Sequence, residues 1–182
     1  MTRIAVFVGS LRKDSINKKF ALALAKLARP SLDFRFVDLS EIPMFNEDIE
    51  QNPPQSVITL REEIRAADGV LFVTPEYNRS FPALLKNAID WGSRPYGHNS
   101  WSGKPGSVVG TSMSPIGTAA AQAQLSHVLR ILGVHLLGQP EVYLTYSEGL
   151  FDADHDVTKE DTRAFLEKYL KRFESWIERF RK

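Results

Sequence analysis

The sequence predicts an α/β fold in which one parallel sheet carries helices on both faces. Short, continuous apolar runs of strand length alternate along the chain with stretches whose apolar residues recur at helical spacing. Five runs alternate in this way with five helical stretches, which is the pattern of consecutive βαβ units. The chain has 182 residues and a hydrophobic content of 43%, enough for a sizeable core in one domain spanning residues 1–182.

Each predicted strand is a mostly apolar run that stops at a turn residue or a proline. Runs without alternation are typical of strands that are buried on both faces. We expect every crossover between them to be right-handed. The predicted strands cover residues 4–8, 34–37, 69–74, 106–110 and 134–137.

The helices are predicted from apolar residues spaced mainly three or four apart. The first is expected to begin at the cap Ser15 and to end before Pro30. The fourth spans residues 119–132, and the last is expected to open with a capping box formed by Thr158 and Asp161. The apolar sets of the first, second, third and last helices are, in order, Phe20, Leu22, Leu24 and Leu27; Val57, Leu60 and Ile64; Leu84, Leu85, Ala88 and Trp91; and Phe165, Tyr169, Phe173, Ile177 and Phe180.

The charge balance and the lack of cysteine exclude several classes of function. Lys and Arg number 23 and Asp and Glu number 22, so the net charge of +1 argues against nucleic acid as a partner. A chain without cysteine has no disulfides, thiolate metal sites or cysteine nucleophiles. The four histidines lack metal-ligand spacing, and His135 is expected in a core strand, so no metal site is predicted.

The distribution of apolar residues gives an expectation for the location of the protein. No apolar stretch approaches the roughly 20 residues that a membrane span requires. The apolar run near the start, residues 4–9, is also shorter than the core of a signal peptide. We therefore expect a cytoplasmic protein that does not act on a membrane.

Three loops follow the carboxyl ends of the first, third and fourth predicted strands. Ligands of open α/β sheets bind beyond these ends, near the point where the strand order reverses. We therefore expect functional residues in the first loop (residues 9–17), the second loop (residues 75–82) and the third loop (residues 110–118).

The first loop has the composition of a phosphate site at a helix N-terminus. Free N–H groups and the positive end of the helix dipole attract an anion, and hydroxyl, amide and guanidinium groups add donors. These groups belong to Ser10, Arg12, Ser15 and Asn17. The alternative is that Ser15 or Asn17 only caps the helix and that Arg12 is a solvated surface charge.

Two common nucleotide-binding motifs are missing. No Gly-x-Gly-x-x-Gly follows the first strand, which favours a single phosphate over a dinucleotide pyrophosphate. Residues 97–105 differ from a Walker loop because five residues separate the glycines and Pro105 stands in place of the magnesium-binding Ser or Thr. The sequence therefore argues against kinase or nucleoside triphosphatase chemistry.

The second loop suits a flat heterocycle. An aromatic side chain, an amide and backbone N–H groups, all able to meet the carbonyls and nitrogens of a ring, occur in Thr74-Pro75-Glu76-Tyr77-Asn78. The alternative is a proline turn with Tyr77 packed in the core. The third loop is rich in hydroxyl groups and can either border the same ring or cap the fourth helix.

Four motifs resemble those of the NAD(P)H-dependent FMN reductases, a flavodoxin-like family that includes chromate and quinone reductases. They are Gly9-Ser10-Leu11-Arg12 followed by Ser15-x-Asn17, then Thr74-Pro75-Glu76-Tyr77-Asn78, Leu85-Lys86-Asn87-Ala88-Ile89-Asp90-Trp91 and Gly103-Lys104-Pro105. Their order and spacing cover most of residues 1–135. The resemblance implies a flavodoxin-like sheet with strand order 2-1-3-4-5, and FMN combines the single phosphate and the flat ring that the loops suit.

The resemblance also implies which residues hold FMN. It places Ser10, Arg12, Ser15, Ile16 and Asn17 around the phosphate, and Pro75, Glu76, Tyr77, Asn78, Thr111 and Ser112 around the isoalloxazine. It implies no catalytic side chain, because hydride passes from NAD(P)H to flavin N5 and electrons then pass to a quinone, chromate, azo or free-flavin acceptor in a ping-pong cycle. Backbone N–H groups near the pyrimidine edge would stabilise the reduced, anionic flavin.

Four positions in and beside the second and third loops depart from the family pattern. Relatives usually have glycine where this chain has Ser114 and Thr118, so the loop over the ring is expected to be stiffer or differently shaped. Ala83 likewise replaces a frequent glycine. Arg79 adds a cation that either attracts an anionic substrate or faces solvent.

The resemblance further implies a homodimer or homotetramer in which a second subunit covers the flavin. Trp91, Tyr96 and Trp101 are candidates for that contact, with core packing as the alternative. The competing function is a non-catalytic FMN-binding electron carrier or a regulatory flavoprotein. A pI near 8.0 argues against a carrier, because carriers of this kind are typically strongly acidic.

Overall fold

The computed structural model, which describes residues 1–181, contains one parallel sheet between two layers of helices. The strands are β1 (Thr2–Val8), β2 (Leu32–Phe36), β3 (Gly69–Val73), β4 (Pro105–Ser112), β5 (His135–Leu136) and β6 (Tyr143–Thr145). The helices are α1 (Ile16–Leu27), α2 (Gln55–Ala66), α3 (Ala83–Gly92), α4 (Ala119–Ile131) and α5 (Glu160–Glu178), with a short 3-10 helix at Glu47–Ile49. The strand order β2-β1-β3-β4-β5 confirms the predicted doubly wound, flavodoxin-like fold.

Successive residues of the central strands contribute to two separate cores. Ile4 and Val6 of β1 pack with α1 and α5, whereas Ala5 and Phe7 pack with α2, α3 and α4. Both faces of the strand are therefore buried. This is the physical reason why β1 has a continuous apolar sequence instead of an alternating one.

Two short strands, not one, occupy the fifth position of the sheet. β5 pairs with Pro105 and Gly106, and β6 pairs with residues 110–112 of the same β4 strand. Pro140 lies in the interruption and has no N–H to donate to a ladder. The prediction of a strand at residues 134–137 therefore found β5 and missed β6.

The start of α5 differs from the predicted capping box. Its N-cap is Lys159, and the hydroxyl of Thr158 donates instead to the carbonyl oxygen of Gly149 at 2.8 Å. Phe165 is exposed and Phe180 is half-buried, because only one stripe of the helix faces the sheet and α1. The other three residues expected to point inward are buried as predicted, namely Tyr169, Phe173 and Ile177.

Two of the three aromatic residues expected at a subunit contact belong to the core instead. Trp91 and Trp101 are completely buried, and the indole N–H of Trp101 donates to the carbonyl oxygen of Ile89 at 2.9 Å. Tyr96 differs from them because 91% of its surface is exposed. Core packing, the alternative interpretation, is therefore correct for both tryptophans.

His135 lies in a strand, as expected, but its side chain is not in the core. It is exposed and stacks on Phe180 with 4.6 Å between ring centroids. Within residues 1–181, no three His, Cys, Asp or Glu side chains are grouped so that they can hold a metal ion. In the same part of the chain, no helix has both the length and the apolar character needed to cross a bilayer.

The Leu85–Trp91 motif holds a loop against α3. The Asn87 side chain donates to the carbonyl oxygen of Pro43 at 2.9 Å and accepts from the N–H of Phe45 at 2.8 Å. The indole N–H of Trp91 donates to the same Pro43 carbonyl at 2.8 Å. We call Asn87 and Trp91 the α3 clamp. Because these polar groups are satisfied inside the protein, this motif stabilises the fold.

Lys104 of the Gly103-Lys104-Pro105 motif also has a structural role. Its ammonium group donates to the carbonyl oxygens of Arg65 and Ala67 at 2.8 and 2.6 Å, at the carboxyl end of α2. Helix ends leave such carbonyls without partners, and a cation there also interacts favourably with the helix dipole. Partial burial lowers the pKa of Lys104 from its ordinary value.

Candidate active site

The three loops meet at the carboxyl edge of the sheet, as predicted. Gly9 donates its N–H to the carbonyl oxygen of Val73 at 2.9 Å, and Thr74 donates to Val109 at 2.9 Å. A Cβ atom on Gly9 would lie only 2.9 Å from a ring carbon of Pro75. Glycine is therefore required where the first and second loops approach each other.

The first loop ends in a helix N-terminus with unpaired donors. Ser15 is the N-cap of α1, and its hydroxyl oxygen accepts from the N–H of Lys18 at 3.2 Å. The N–H groups of Ile16 and Asn17 have no acceptor anywhere in residues 1–181. Two free amides at the positive end of a helix dipole fit a bound phosphate.

Ser10 and Arg12 border this helix end. The hydroxyl of Ser10 accepts from the N–H of Arg12 at 3.3 Å. The Arg12 side chain is exposed, and its guanidinium forms no ion pair or hydrogen bond with the described part of the chain. It therefore remains available for a charge-assisted bond to an anion.

Asn17 has a structural role that the sequence did not indicate. Its side chain is buried, donates to the carbonyl oxygen of Thr111 at 2.9 Å and accepts from the N–H of the same residue at 3.0 Å. This pair of bonds ties α1 to the end of β4, so the side chain positions the first loop against the third. The free main-chain N–H of Asn17 is the group that the structure leaves for a phosphate.

The second loop contains a tight turn at Tyr77–Ser80. Tyr77 and Ser80 exchange two main-chain hydrogen bonds of 2.9 Å, and the φ angles of Asn78 and Arg79 are 51° and 65°. Two consecutive positive φ angles define a type I′ turn. Tyr77 is 53% exposed, so the alternative interpretation that placed it in the core is wrong.

Glu76 joins the second loop to the start of α4. One oxygen of its carboxylate accepts from the N–H of Ala121 at 3.1 Å, and the other pairs with the guanidinium of Arg79 at 3.1 Å. Only 6% of this side chain is exposed. The carboxylate thus satisfies an otherwise unpaired amide in the first turn of α4.

Gln124 of α4 is a residue of the site that sequence reasoning missed. Its amide donates to the carbonyl oxygen of Arg79 and accepts from the hydroxyl of Ser80, both at 2.7 Å. Together with Glu76, it fixes the turn on α4. No local sequence pattern signals this role, because the partners lie more than 40 positions apart along the chain.

The third loop is held by its hydroxyl groups. Thr111 is buried and donates to the carbonyl oxygen of Leu144 at 2.8 Å, while Ser112 donates to the carbonyl oxygen of Ser114 at 3.0 Å. Pro75, on the second loop, is also buried, whereas Ser112 is partly exposed. The Thr111 hydroxyl therefore holds the start of the third loop against β6.

Thr118 has an unusual conformation for its residue type. Its φ angle is 72°, in the left-handed region that disfavours side chains branched at Cβ. The side chain is completely buried, and its hydroxyl accepts from the Gln122 amide at 2.9 Å instead of capping the α4 backbone. The structure thus shows a strained, firmly held residue at a position where the resembled family usually has glycine.

Backbone donors remain free around the second and third loops. Neither the side chains nor the backbone of residues 1–181 provide an acceptor for these N–H groups, which belong to Glu76, Asn78, Arg79, Met113 and Ser114. Such donors suit the carbonyls and nitrogens of a heterocycle. Together with the free amides of α1, they fit a ligand that combines one phosphate with one flat ring.

The structure contains one cavity away from this edge and another beside it. One of about 730 Å³ lies between α1 and β2 and includes Arg29 and His155 in its lining. A smaller cavity of about 210 Å³ adjoins the first loop, between Ser10 and Asp38. The loop site faces solvent, because one large apolar side chain on each of its three loops is exposed, namely Leu11, Tyr77 and Met113.

Comparisons with known proteins show which family the chain is similar to. A family model described as NADPH-dependent FMN reductase matches residues 2–149. A quinone reductase of Pseudomonas putida is 48% identical over 175 residues, covering 96% of this chain and 94% of that protein. A 2-hydroxy-1,4-benzoquinone reductase of Burkholderia sp is 46% identical over 175 residues, covering 96% of both chains.

A solved structure extends the similarity to three dimensions. The flavoenzyme NAD(P)H:(acceptor) oxidoreductase FerB from Paracoccus denitrificans superposes with a TM-score of 0.97 at 45% sequence identity, covering 99% of both chains. The matched region includes all three loops. The chain therefore belongs to the NADPH-dependent FMN reductase family, whose members are oxidoreductases that use FMN and NAD(P)H.

Proposed function

We propose that this chain is an FMN-dependent NAD(P)H:quinone reductase in which residues 1–182 act as one FMN-binding domain. The net reaction converts NAD(P)H, a proton and a quinone into NAD(P)⁺ and a hydroquinone. The observation that carries the proposal is the set of unpaired backbone N–H groups on three loops at one sheet edge, led by those of Ile16 and Asn17. The identity of 46–48% to reductases of quinones supports the choice of acceptor.

The phosphate of FMN would lie at the N-terminus of α1. Arg12 offers a free guanidinium, Ser10 and Ser15 offer hydroxyl groups, and Ile16 and Asn17 offer main-chain N–H groups. These donors face the positive end of the helix dipole. They provide affinity and orientation but take no part in the redox chemistry.

The isoalloxazine would lie between the second and third loops. Residues Pro75, Glu76, Tyr77 and Asn78 would border it on one side, and the Thr111-Ser112 edge on the other. When bound, FMN supplies the redox chemistry by taking two electrons from NAD(P)H and giving them to the acceptor. The free N–H groups of the second loop would stabilise negative charge on the edge of the isoalloxazine that they face. No side chain is assigned as a catalytic residue.

We further propose a ping-pong mechanism, because both substrates would use the same open face of the site in turn. Steady-state oxidation of NAD(P)H, measured with FMN-loaded protein and 1,4-benzoquinone at several fixed concentrations of each, tests this. Parallel double-reciprocal lines are expected, and intersecting lines would overturn the mechanism.

The same assay tests the choice of acceptor when 1,4-benzoquinone is replaced by chromate, an azo dye or free flavin. Turnover no faster than that of free FMN would contradict the proposed function itself.

We also propose a homodimer or homotetramer in the cytoplasm, the compartment that supplies NAD(P)H. Three large apolar side chains are exposed, one on each loop of the site: Leu11, Tyr77 and Met113. Burial of such residues by a second subunit is favourable, and Tyr96 offers a further exposed aromatic contact. Light scattering after size-exclusion chromatography measures the mass directly. A monomer at micromolar concentration would contradict this part of the proposal.

A further inference from the structure

We infer that Arg79 makes the site selective for acceptors that carry a negative charge on the quinone ring, as ionised hydroxyquinones do. This inference rests on the proposed function and specifies its substrate class. Three features of Arg79 support it: its backbone conformation, the partial neutralisation of its side chain and the absence of other exposed charges on the second and third loops.

The backbone at Arg79 is poorly suited to a side chain. The residue occupies the second central position of the type I′ turn with a φ angle of 65°. Such turns strongly prefer the pair Asn-Gly. Asn78 satisfies the first half of that preference, whereas Arg79 breaks the second. Strain of this kind at a functional site points to a use for the side chain that glycine cannot supply.

The guanidinium of Arg79 is only partly neutralised. One of its nitrogens pairs with Glu76 at 3.1 Å, while the side chain remains 69% exposed. The same Glu76 carboxylate also accepts from the N–H of Ala121 at the positive end of α4. Because Glu76 interacts with two positive partners, Arg79 retains free donors and part of its charge.

Few other charges lie on the loops that would border the ring. Glu76 and Arg79 are the only charged side chains of the second loop, and the third loop has none. The carboxylate of Glu76 is buried, so Arg79 supplies the exposed charge here. An anion that approaches the open face is therefore attracted, with a strength that falls as ionic strength rises.

A hydroxyquinone matches this environment chemically. Its hydroxyl group is part of a vinylogous acid and is ionised at neutral pH, so two neighbouring ring oxygens form an anionic pair. A guanidinium recognises such a pair with its fork of N–H donors. Reduction of the anion takes a hydride equivalent from NAD(P)H and two protons from water, and yields neutral trihydroxybenzene.

The test compares 2-hydroxy-1,4-benzoquinone with 2-methoxy-1,4-benzoquinone, which has a substituent at the same position but cannot ionise. The variant Arg79→Gln removes the charge. The variant Arg79→Gly also removes the charge, and it relieves the backbone strain of the turn. An effect that both variants show therefore cannot result from damage to the loop. The control is Arg35→Gln, because Arg35 is likewise exposed and paired with an acid, Asp33, but lies on β2.

We expect the ratio of kcat/KM for the hydroxyquinone to kcat/KM for the methoxyquinone to fall about fivefold in both Arg79 variants, which is the scale of one exposed charge interaction. The change should appear mainly in KM for the hydroxyquinone. Arg79→Lys should keep part of the preference, because it retains the charge but loses the fork. Arg35→Gln should leave the ratio as in the wild type.

Two results would overturn the inference while leaving the proposed function in place. The first is an unchanged ratio in both Arg79 variants. The second is an equal fall in kcat/KM for NAD(P)H, which would show that Arg79 binds the phosphates of the dinucleotide instead. If FMN-loaded wild-type protein reduces neither quinone, the proposed function fails, and the inference fails with it.

Discussion

The α3 clamp and the first loop both belong to motifs shared with FMN reductases, yet they use their polar groups in opposite ways. Asn87 and Trp91 of the clamp direct their donors and acceptors to main-chain groups of the protein. At the first loop, the N–H groups of Ile16 and Asn17 remain unpaired within the described residues. A motif therefore indicates stability where its hydrogen bonds are satisfied internally, and ligand binding where they are not.

The largest effect on stability is expected when the α3 clamp is disrupted. We expect Asn87→Ala to lower the free energy of unfolding of the FMN-free protein by about 2 to 3 kcal/mol, because it leaves the partly buried Phe45 N–H and the Pro43 carbonyl without the Asn87 side chain as partner. Urea denaturation measures this change. The exposed Asn52 provides the control, and Asn52→Ala should cost less than about 0.5 kcal/mol. Equal stability of the two variants would show that the clamp is dispensable.

The opposite effect is expected at the first loop. Arg12→Ala should weaken FMN binding by about 1.5 to 3 kcal/mol, the scale of a charged hydrogen bond, because its guanidinium has no partner within residues 1–181. Fluorescence titration with FMN measures the affinity, and urea denaturation of the FMN-free protein should show no loss of stability. Arg35→Ala is the control for removal of an exposed arginine. Unchanged FMN affinity in Arg12→Ala would remove the phosphate assignment.

Lys104 offers a second test of a motif with internal partners. Lys104→Met should lower the free energy of unfolding by about 1 to 2 kcal/mol, because two carbonyls at the end of α2 lose their donor. FMN affinity should stay the same. Lys86→Met is the matched control: Lys86 pairs with Asp90 on the helix surface, where such pairs contribute little. A loss of FMN affinity in Lys104→Met would contradict the division between the two regions.

Thr118 combines both roles, because it has an internal partner and also lies in a loop of the site. We expect the smallest change in stability and in FMN binding at this position. Thr118→Gly relieves the strain of a positive φ angle but loses the bond with Gln122, so stability should change by less than about 1 kcal/mol. FMN should dissociate a few times faster because the third loop is less firmly held. Ser114→Gly, in the same loop but without a positive φ angle, should be destabilising. Stopped-flow measurement gives the rate at which FMN dissociates. If the rate for Thr118→Gly equals that of the wild type, Thr118 does not stiffen the site.

The sequence predicted the main elements of the fold because strong local signals mark them. Continuous apolar runs located β1 and β3, and Ser15 marked the start of α1. Weak local signals failed. β6 has only three residues after a proline-containing turn, and Thr158 found a carbonyl partner outside the helix that it was expected to cap.

The location of the candidate site was predictable, but the roles of several side chains within it were not. The carboxyl ends of parallel strands must meet at one edge, so the three loops were expected there. Whether a side chain contacts a ligand or the protein depends on partners that are distant in sequence. Asn17 binds Thr111, and Glu76 binds Ala121, across 94 and 45 positions respectively.

The most direct test of the account is a visible absorption spectrum of the protein after incubation with FMN and desalting, followed under nitrogen by NAD(P)H and then by 1,4-benzoquinone. We expect a retained flavin band that bleaches with NAD(P)H and returns with the quinone, since the unpaired donors of the loops would hold FMN with its ring open to both substrates. A protein that retains no flavin, or a flavin band that NAD(P)H does not bleach, would contradict the account.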